Sequence, residues 1–215
     1  MLFRRYLMLV GICFMLASLS HSQTSVIARL PRTTRAEIMA RAKKLATHSW
    51  ISSASNLHAS CSRNYSNEWK PGQRVTGLPY CWGGVDSPES FDKKLQKGLA
   101  AGAHSRNGIL SCATGIDCSG FVALCWGLTL SGHTYSTTNL RDIAGVPKYN
   151  VYTDMKPGDA LNKSGSHVVL FAGYNPDGTI NVYEASGSMS RVVYRQRKWS
   201  SLIGYKPLQY KGLDE

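Results

Sequence analysis

Acid is scarce in this sequence. Its 13 aspartates and glutamates stand against 25 lysines and arginines, a formal net charge of +12 over 215 residues. There is no Cys-x-x-Cys pair and no His-Glu-x-x-His segment, so nothing calls for a metal site or a cofactor. No internal repeat or low-complexity tract is present, which leaves one ordinary domain with a sizeable core. Long apolar runs are absent except from Tyr6 to Leu19, which follows Arg4-Arg5 and leads into Ser20 and Ser22. That run has the make-up of a secretory signal over residues 1–22, the alternative being a membrane anchor, which a run this short rarely forms. The expected product is secreted, periplasmic or held in the cell envelope, with no stable membrane insertion once the signal is gone. Basic residues are scattered, without an aromatic-rich binding motif, so nucleic acid is not an expected partner. Anionic polymers of the cell wall are.

Export places the cysteines in an oxidising compartment. Of the six, Cys13 leaves with the signal, and Cys118 is set aside for the chemistry below. Cys61, Cys81, Cys112 and Cys125 remain, enough for two bridges, and the sequence does not choose among their three pairings. A Cys118–Cys125 bridge is unfavourable, because seven helical residues put the Cα atoms roughly 10 Å apart. Cys125 also fits as a small buried apolar residue.

Thr34-Arg35-Ala36-Glu37 has capping-box spacing, and Ile38, Ala42 and Leu45 form an apolar stripe, which predicts a packing helix to about Thr47. Residues 50–79, rich in Ser, Asn and Gly, read as an irregular excursion pinned by Cys61. A second excursion over 85–114 holds a short helix near Phe91 to Leu99. After it, Asp117 is a good N-cap, and Phe121, Leu124, Cys125 and Leu128 recur at helical spacing, predicting a helix over 118–130. Pro157-Gly158-Asp159 is a turn. The runs 167–173, 179–185, 190–195 and 202–206 carry β-branched and aromatic residues and read as strands, the first two joined by Asn175-Pro176-Asp177-Gly178. Helices first and an antiparallel sheet after make the fold class α+β.

Cys118 therefore sits at a helix N-terminus, where peptide dipoles and unpaired N–H groups favour negative charge and are expected to lower a thiol pKa. The same N–H groups suit an oxyanion. A cysteine nucleophile needs a base and a third group to orient it. His167 opens a strongly strand-like run, and alternation puts it on the face shared by Val169 and Phe171. If the hairpin places Glu184 directly opposite His167, the carboxylate holds the imidazole's tautomer and orientation. A slip of one residue would put the two on opposite faces.

These segments resemble the NlpC family of papain-like cell-wall cysteine peptidases. The likeness covers about residues 75–206 and rests on four motifs in one order. They are Tyr80-x-Trp82-Gly83-Gly84, Gly115-x-Asp117-Cys118-Ser119-Gly120-Phe121-Val122, Pro157-Gly158-Asp159 and His167-Val168, with Glu184-Ala185 at the family's third polar position. The resemblance implies a papain-like α+β fold and a secreted endopeptidase that hydrolyses amide bonds of peptidoglycan stem peptides, often the bond from γ-D-glutamate to a diamino acid. On it, Cys118 attacks, His167 exchanges the proton and Glu184 orients His167. Tyr80 lines the cleft near the oxyanion, and Asp117 and Ser119 are substrate-binding positions, Asp117 serving alternatively as the helix cap. It divides the chain into a signal (1–22), a helical and irregular cysteine-containing extension (23–74), the catalytic domain (75–210) and a tail (211–215).

Two departures bear on substrate. The family commonly has His, Asn or Gln where Glu184 stands, and His133-Thr134-Tyr135-Ser136-Thr137-Thr138-Asn139 replaces a common Arg-Thr-Ser-x-x-Gln run. The same triad also suits an amidase, a transpeptidase or a thioesterase, since fold does not fix substrate. A third class is a non-catalytic wall-binding protein. Retention of Cys118, His167 and Glu184 together speaks against it.

Overall fold

The computed structural model describes residues 30–63, 65, 67–129 and 134–214. The expected signal over 1–22 and His133 lie outside them. In chain order the elements are α1 (Arg35–Thr47), β1 (Ser49–Ile51), β2 (Arg74–Thr76), α2 (Pro88–Gln96), β3 (Ala100–Ala101), β4 (Ala113–Thr114) and α3 (Cys118–Cys125). Then come β5 (Ala144–Gly145), β6 (Ala160–Lys163), β7 (His167–Tyr174), β8 (Ile180–Ser186), β9 (Arg191–Arg197) and β10 (Lys206–Tyr210). The last six form one antiparallel sheet in the order β5-β10-β6-β7-β8-β9. The architecture is α+β.

Alternation along the sheet separates two cores. Val168, Leu170, Ala185, Val192 and Leu208 face α1 and α3, where Ile38, Leu45, Phe121, Val122 and Trp126 are buried. Val169, Phe171, Ile180 and Val182 face the other way, under Met155 and Leu202. Each fully buried side chain of this size stabilises the fold by about 1.5–3 kcal/mol. α1 begins on the expected capping box: Thr34 Oγ1 accepts from the Glu37 N–H, and Glu37 Oε2 accepts from the Thr34 N–H at 2.8 Å. Arg41 on α1 donates to the Cys125 carbonyl at 2.7 Å, satisfying a carbonyl that the end of α3 leaves unpaired.

α3 ends at Cys125 rather than near residue 130. Gly127 lies at φ +90°, its N–H bonds to the Leu124 carbonyl, and the Leu128 N–H bonds to the Ala123 carbonyl. This is a Schellman stop, which places an apolar residue just past the helix, so Leu128 continues the helical spacing without belonging to the helix.

The last strand runs over 206–210, not 202–206. Residues 199–202 form a 3-10 turn that buries Leu202 in the second core, and Gly204 at φ +86° redirects the chain. β6 has no counterpart among the expected strands, because it buries the polar Asn162 beside Ala160 and Leu161 and so shows no alternation.

Among the described residues the cysteines form one bridge rather than two. Cys61 bonds to Cys112, joining the two excursions, while Cys81 and Cys125 are free and buried. Cys125 lies in the main core, and Cys81 lies among Ala59, Ala100, Ala103 and Ala113. Among the described residues no helix is long and apolar enough to cross a membrane.

Candidate active site

Asp117 caps α3 as its sequence position predicts. Its Oδ1 accepts from the Gly120 N–H at 2.7 Å and from the Ser119 hydroxyl at 2.9 Å, while Oδ2 accepts from the Gly83 N–H at 3.1 Å. One buried carboxylate thus holds the helix start, Ser119 and the Tyr80-to-Gly84 turn together. The segment entering the helix is held by Asp86, which no sequence signal singles out. Asp86 accepts from Lys94, Ser90, Thr114 and the Gly115 N–H, and these bonds outweigh burial to keep its pKa low. At Gly115, φ is +145° and a Cβ would come within 2.3 Å of the Pro79 carbonyl oxygen, so only glycine fits.

Cys118 is 4% exposed. Burial foremost, and then the Asp117 carboxylate, push its thiol up to about 12, against the opposing pull of the Val168, Ser119 and Cys118 N–H groups. This overturns the expected lowering. A helix terminus supplies on the order of 1 kcal/mol, less than desolvation takes from a thiolate at this depth. The resting group is a neutral thiol.

The Val168 contact locates the sulfur. β7 pairs with β8 only from Leu170 onward, so the Val168 N–H lies beyond that ladder and turns to Cys118. Cys118 and Val168 share the main core, so the thiol lies near the start of β7, where Val168 follows His167.

His167 and Glu184 come together by a different register from the expected one. Leu170 faces Tyr183 and Phe171 faces Val182, and an extra residue bulges β7 between Phe171 and Gly173. The slip from direct opposition is two residues, which preserves the face, so the side chains meet on a diagonal at 2.7 Å between Nε2 and Oε2.

Glu184 is 1% exposed and accepts two further bonds on Oε1, from Arg195 Nε at 2.6 Å and Arg197 Nη1 at 2.9 Å. Burial alone would raise its pKa. The bonds from His167 and Arg195 win and bring it down to about 2. An ionised carboxylate only accepts, so His167 Nε2 carries the proton and Nδ1 is the nitrogen left to act as a base.

Two tyrosines lie within electrostatic reach of Cys118. Tyr80, buried at 8% exposure, has its hydroxyl pKa raised by burial and by the neighbouring Cys118 and Asp117. Its N–H bonds to the Ser190 carbonyl, and its ring lies 6.2 Å from that of His104. Tyr205 is half-buried, with its pKa raised by burial and by Glu184 and Cys118, against the pull of Arg197. Tyr205, Arg195 and Arg197 escape sequence reasoning. The alternation of Val193, Arg195 and Arg197 is visible, but only the pairing of Val182 with Arg195 puts those arginines on the Glu184 face.

Among the described residues no cluster of three or more His, Cys, Asp and Glu side chains is arranged to hold a metal ion. No family model, curated protein or solved structure matches this chain.

Proposed function

We propose that this protein is an exported cysteine peptidase of the papain-like kind that hydrolyses amide bonds in peptidoglycan stem peptides. The observation that carries the reading is the His167–Glu184 pair at 2.7 Å at the start of β7, next to Val168, whose N–H pulls on the Cys118 thiol. The substrate class comes from the resemblance of the four motifs to the NlpC family and from the basic charge of the chain.

The chemistry follows from the neutral thiol. Cys118 Sγ attacks the scissile carbonyl carbon as its proton passes to His167 Nδ1, forming the C–S bond and an oxyanion. On this reading the Cys118 N–H and the Tyr80 hydroxyl serve as donors to that oxygen. Collapse breaks the C–N bond, and His167 hands the proton to the leaving amine. Water then attacks the thioester, its proton going to His167 and from there to the departing sulfur. Glu184 keeps Nε2 protonated throughout, so that Nδ1 faces the reaction. Asp117 and Ser119 act by holding the helix start in place. The Cys61–Cys112 bridge suits an oxidising compartment.

The test is incubation with defined muropeptides and mass analysis of the products. Cleavage of a stem-peptide amide by the parent, lost in Cys118→Ala, supports the reading. Cleavage retained in Cys118→Ala, or none by the parent, sinks it.

A further inference from the structure

His167 stands in a row of cations. On the sheet face that carries its side chain, Lys163 of β6 is its direct cross-strand partner, and Arg195 and Arg197 of β9 lie two strands the other way. Glu184 answers two guanidiniums with one charge, both on the same oxygen. One arginine would neutralise it. The second leaves positive charge beside the imidazole, and exposed Lys163 adds to it.

The two arginines are differently engaged. Arg197 uses Nη1 on Glu184, Nε on the Ser201 hydroxyl at 3.0 Å and Nη2 on the Ser201 carbonyl at 3.2 Å, and its side chain is 15% exposed. Arg195 uses Nε alone, and its side chain is 33% exposed. Its two terminal nitrogens have no hydrogen-bond partner among the described residues. A guanidinium clamped through Nε by a buried carboxylate presents a fixed edge of N–H donors, the fork that matches a carboxylate.

We propose that Arg195 is a specificity-determining residue whose terminal N–H groups bind a free carboxylate of the substrate on the leaving-group side of the scissile amide. The side follows from His167, which protonates the leaving amine and shares Glu184 with Arg195. The preferred substrate is then an acidic peptide, and amidation of that carboxylate removes the preference. This rests on the proposed peptidase reading for the identity of the substrate, but the cationic wall itself is open to a test that needs no substrate.

The test compares iodoacetate with iodoacetamide, reagents of similar size that differ in charge, in alkylating Cys118 at pH 8.5, mapped by peptide mass. The ratio of their rates is referred to that of an uncharged cysteine peptide. Electrostatic focusing predicts a ratio about tenfold above the peptide's at low salt, shrinking as salt is added. Arg195→Gln brings it down severalfold, and Arg195→Lys, which keeps the charge, retains most of it. Lys163→Gln, on an exposed residue, lowers it by a smaller factor and serves should Arg195→Gln fail to fold.

In parallel, stem peptides bearing a carboxylate or a carboxamide on the leaving-group residue are compared in kcat/KM. The parent favours the acid, and Arg195→Gln erases the difference through KM. A parent ratio equal to the peptide's, unmoved by Lys163→Gln, overturns the proposal. So does cleavage of both substrates with equal kcat/KM, which leaves the peptidase reading standing. An anion preference without cleavage of any stem peptide supports the cationic wall and sinks the peptidase reading. A Cys118 inert to both reagents sinks both.

Discussion

At the scale of single residues, the burial of the Cys118 thiol and of the Glu184 carboxylate decides how the candidate site responds to pH. With its pKa pushed up to about 12 by burial and by Asp117, Cys118 is alkylated by iodoacetamide at a rate that keeps climbing through pH 9 and beyond. A rate that levels off near neutrality would mean a preformed thiolate instead. Glu184 works in the opposite direction. Its folded pKa of about 2 lies below the ordinary 4.5, so its contribution to stability is fully present above pH 4.5 and is lost as pH falls through 2. The size is on the order of 3 kcal/mol for a group this deeply buried. In urea unfolding, the drop in stability between pH 7 and pH 3 is therefore larger in the parent than in Glu184→Gln. On the proposed peptidase mechanism, Glu184→Gln is expected to lower peptide cleavage less than His167→Ala does. An amide still accepts from Nε2, whereas alanine removes the base altogether.

At the scale of elements, the site depends on how the strand at 113–114 turns into α3. Gly115→Ala drives a Cβ against the Pro79 carbonyl oxygen at 2.3 Å, backbone against which nothing flexible can give. The expected cost exceeds 2 kcal/mol in urea unfolding, with slowed alkylation of Cys118, because the Asp86 and Asp117 bonds on either side must shift. Thr34→Ala removes half of the α1 capping box and costs about 1 kcal/mol without changing Cys118 reactivity. α1, α3 and the hairpin were legible because caps, turn residues and alternation are local signals, and the motifs carry Cys118 and His167 as candidates, with Glu184 added by strand alternation and by the resemblance. The end of α3 and the place of β10 were not. Leu128 and Leu202 are buried just outside regular elements, and apolar spacing alone cannot tell a helix from its Schellman stop or a strand from a packed turn.

At the scale of the whole molecule, the Cys61–Cys112 bridge spans 51 residues and ties together the two excursions that flank Tyr80. Closing a loop of that length restricts the unfolded chain by about 4 kcal/mol. Reduction is thus expected to lower the thermal midpoint clearly, read by circular dichroism with and without reductant. If the midpoint is unchanged, the bridge constrains nothing that matters to folding. The charge of +12 acts at the same scale: under the proposed reading, binding to an anionic wall polymer is expected to weaken as salt rises, whereas the paired charges around buried Glu184 are screened far less.

The order of the motifs, the caps and the alternation of β7 and β8 are properties of neighbouring residues, so the chain alone determined an α+β layout and its candidate nucleophile, base and orienting acid. Tertiary structure decided what depends on distance through space. It chose Cys61 and Cys112 as the bridged pair, raised the Cys118 thiol by burying it, and set a register two residues from direct opposition that still joined His167 to Glu184. It also brought Arg195 and Arg197 onto one carboxylate. Burial and strand pairing sum contributions from segments far apart in the chain, and no local pattern carries that sum.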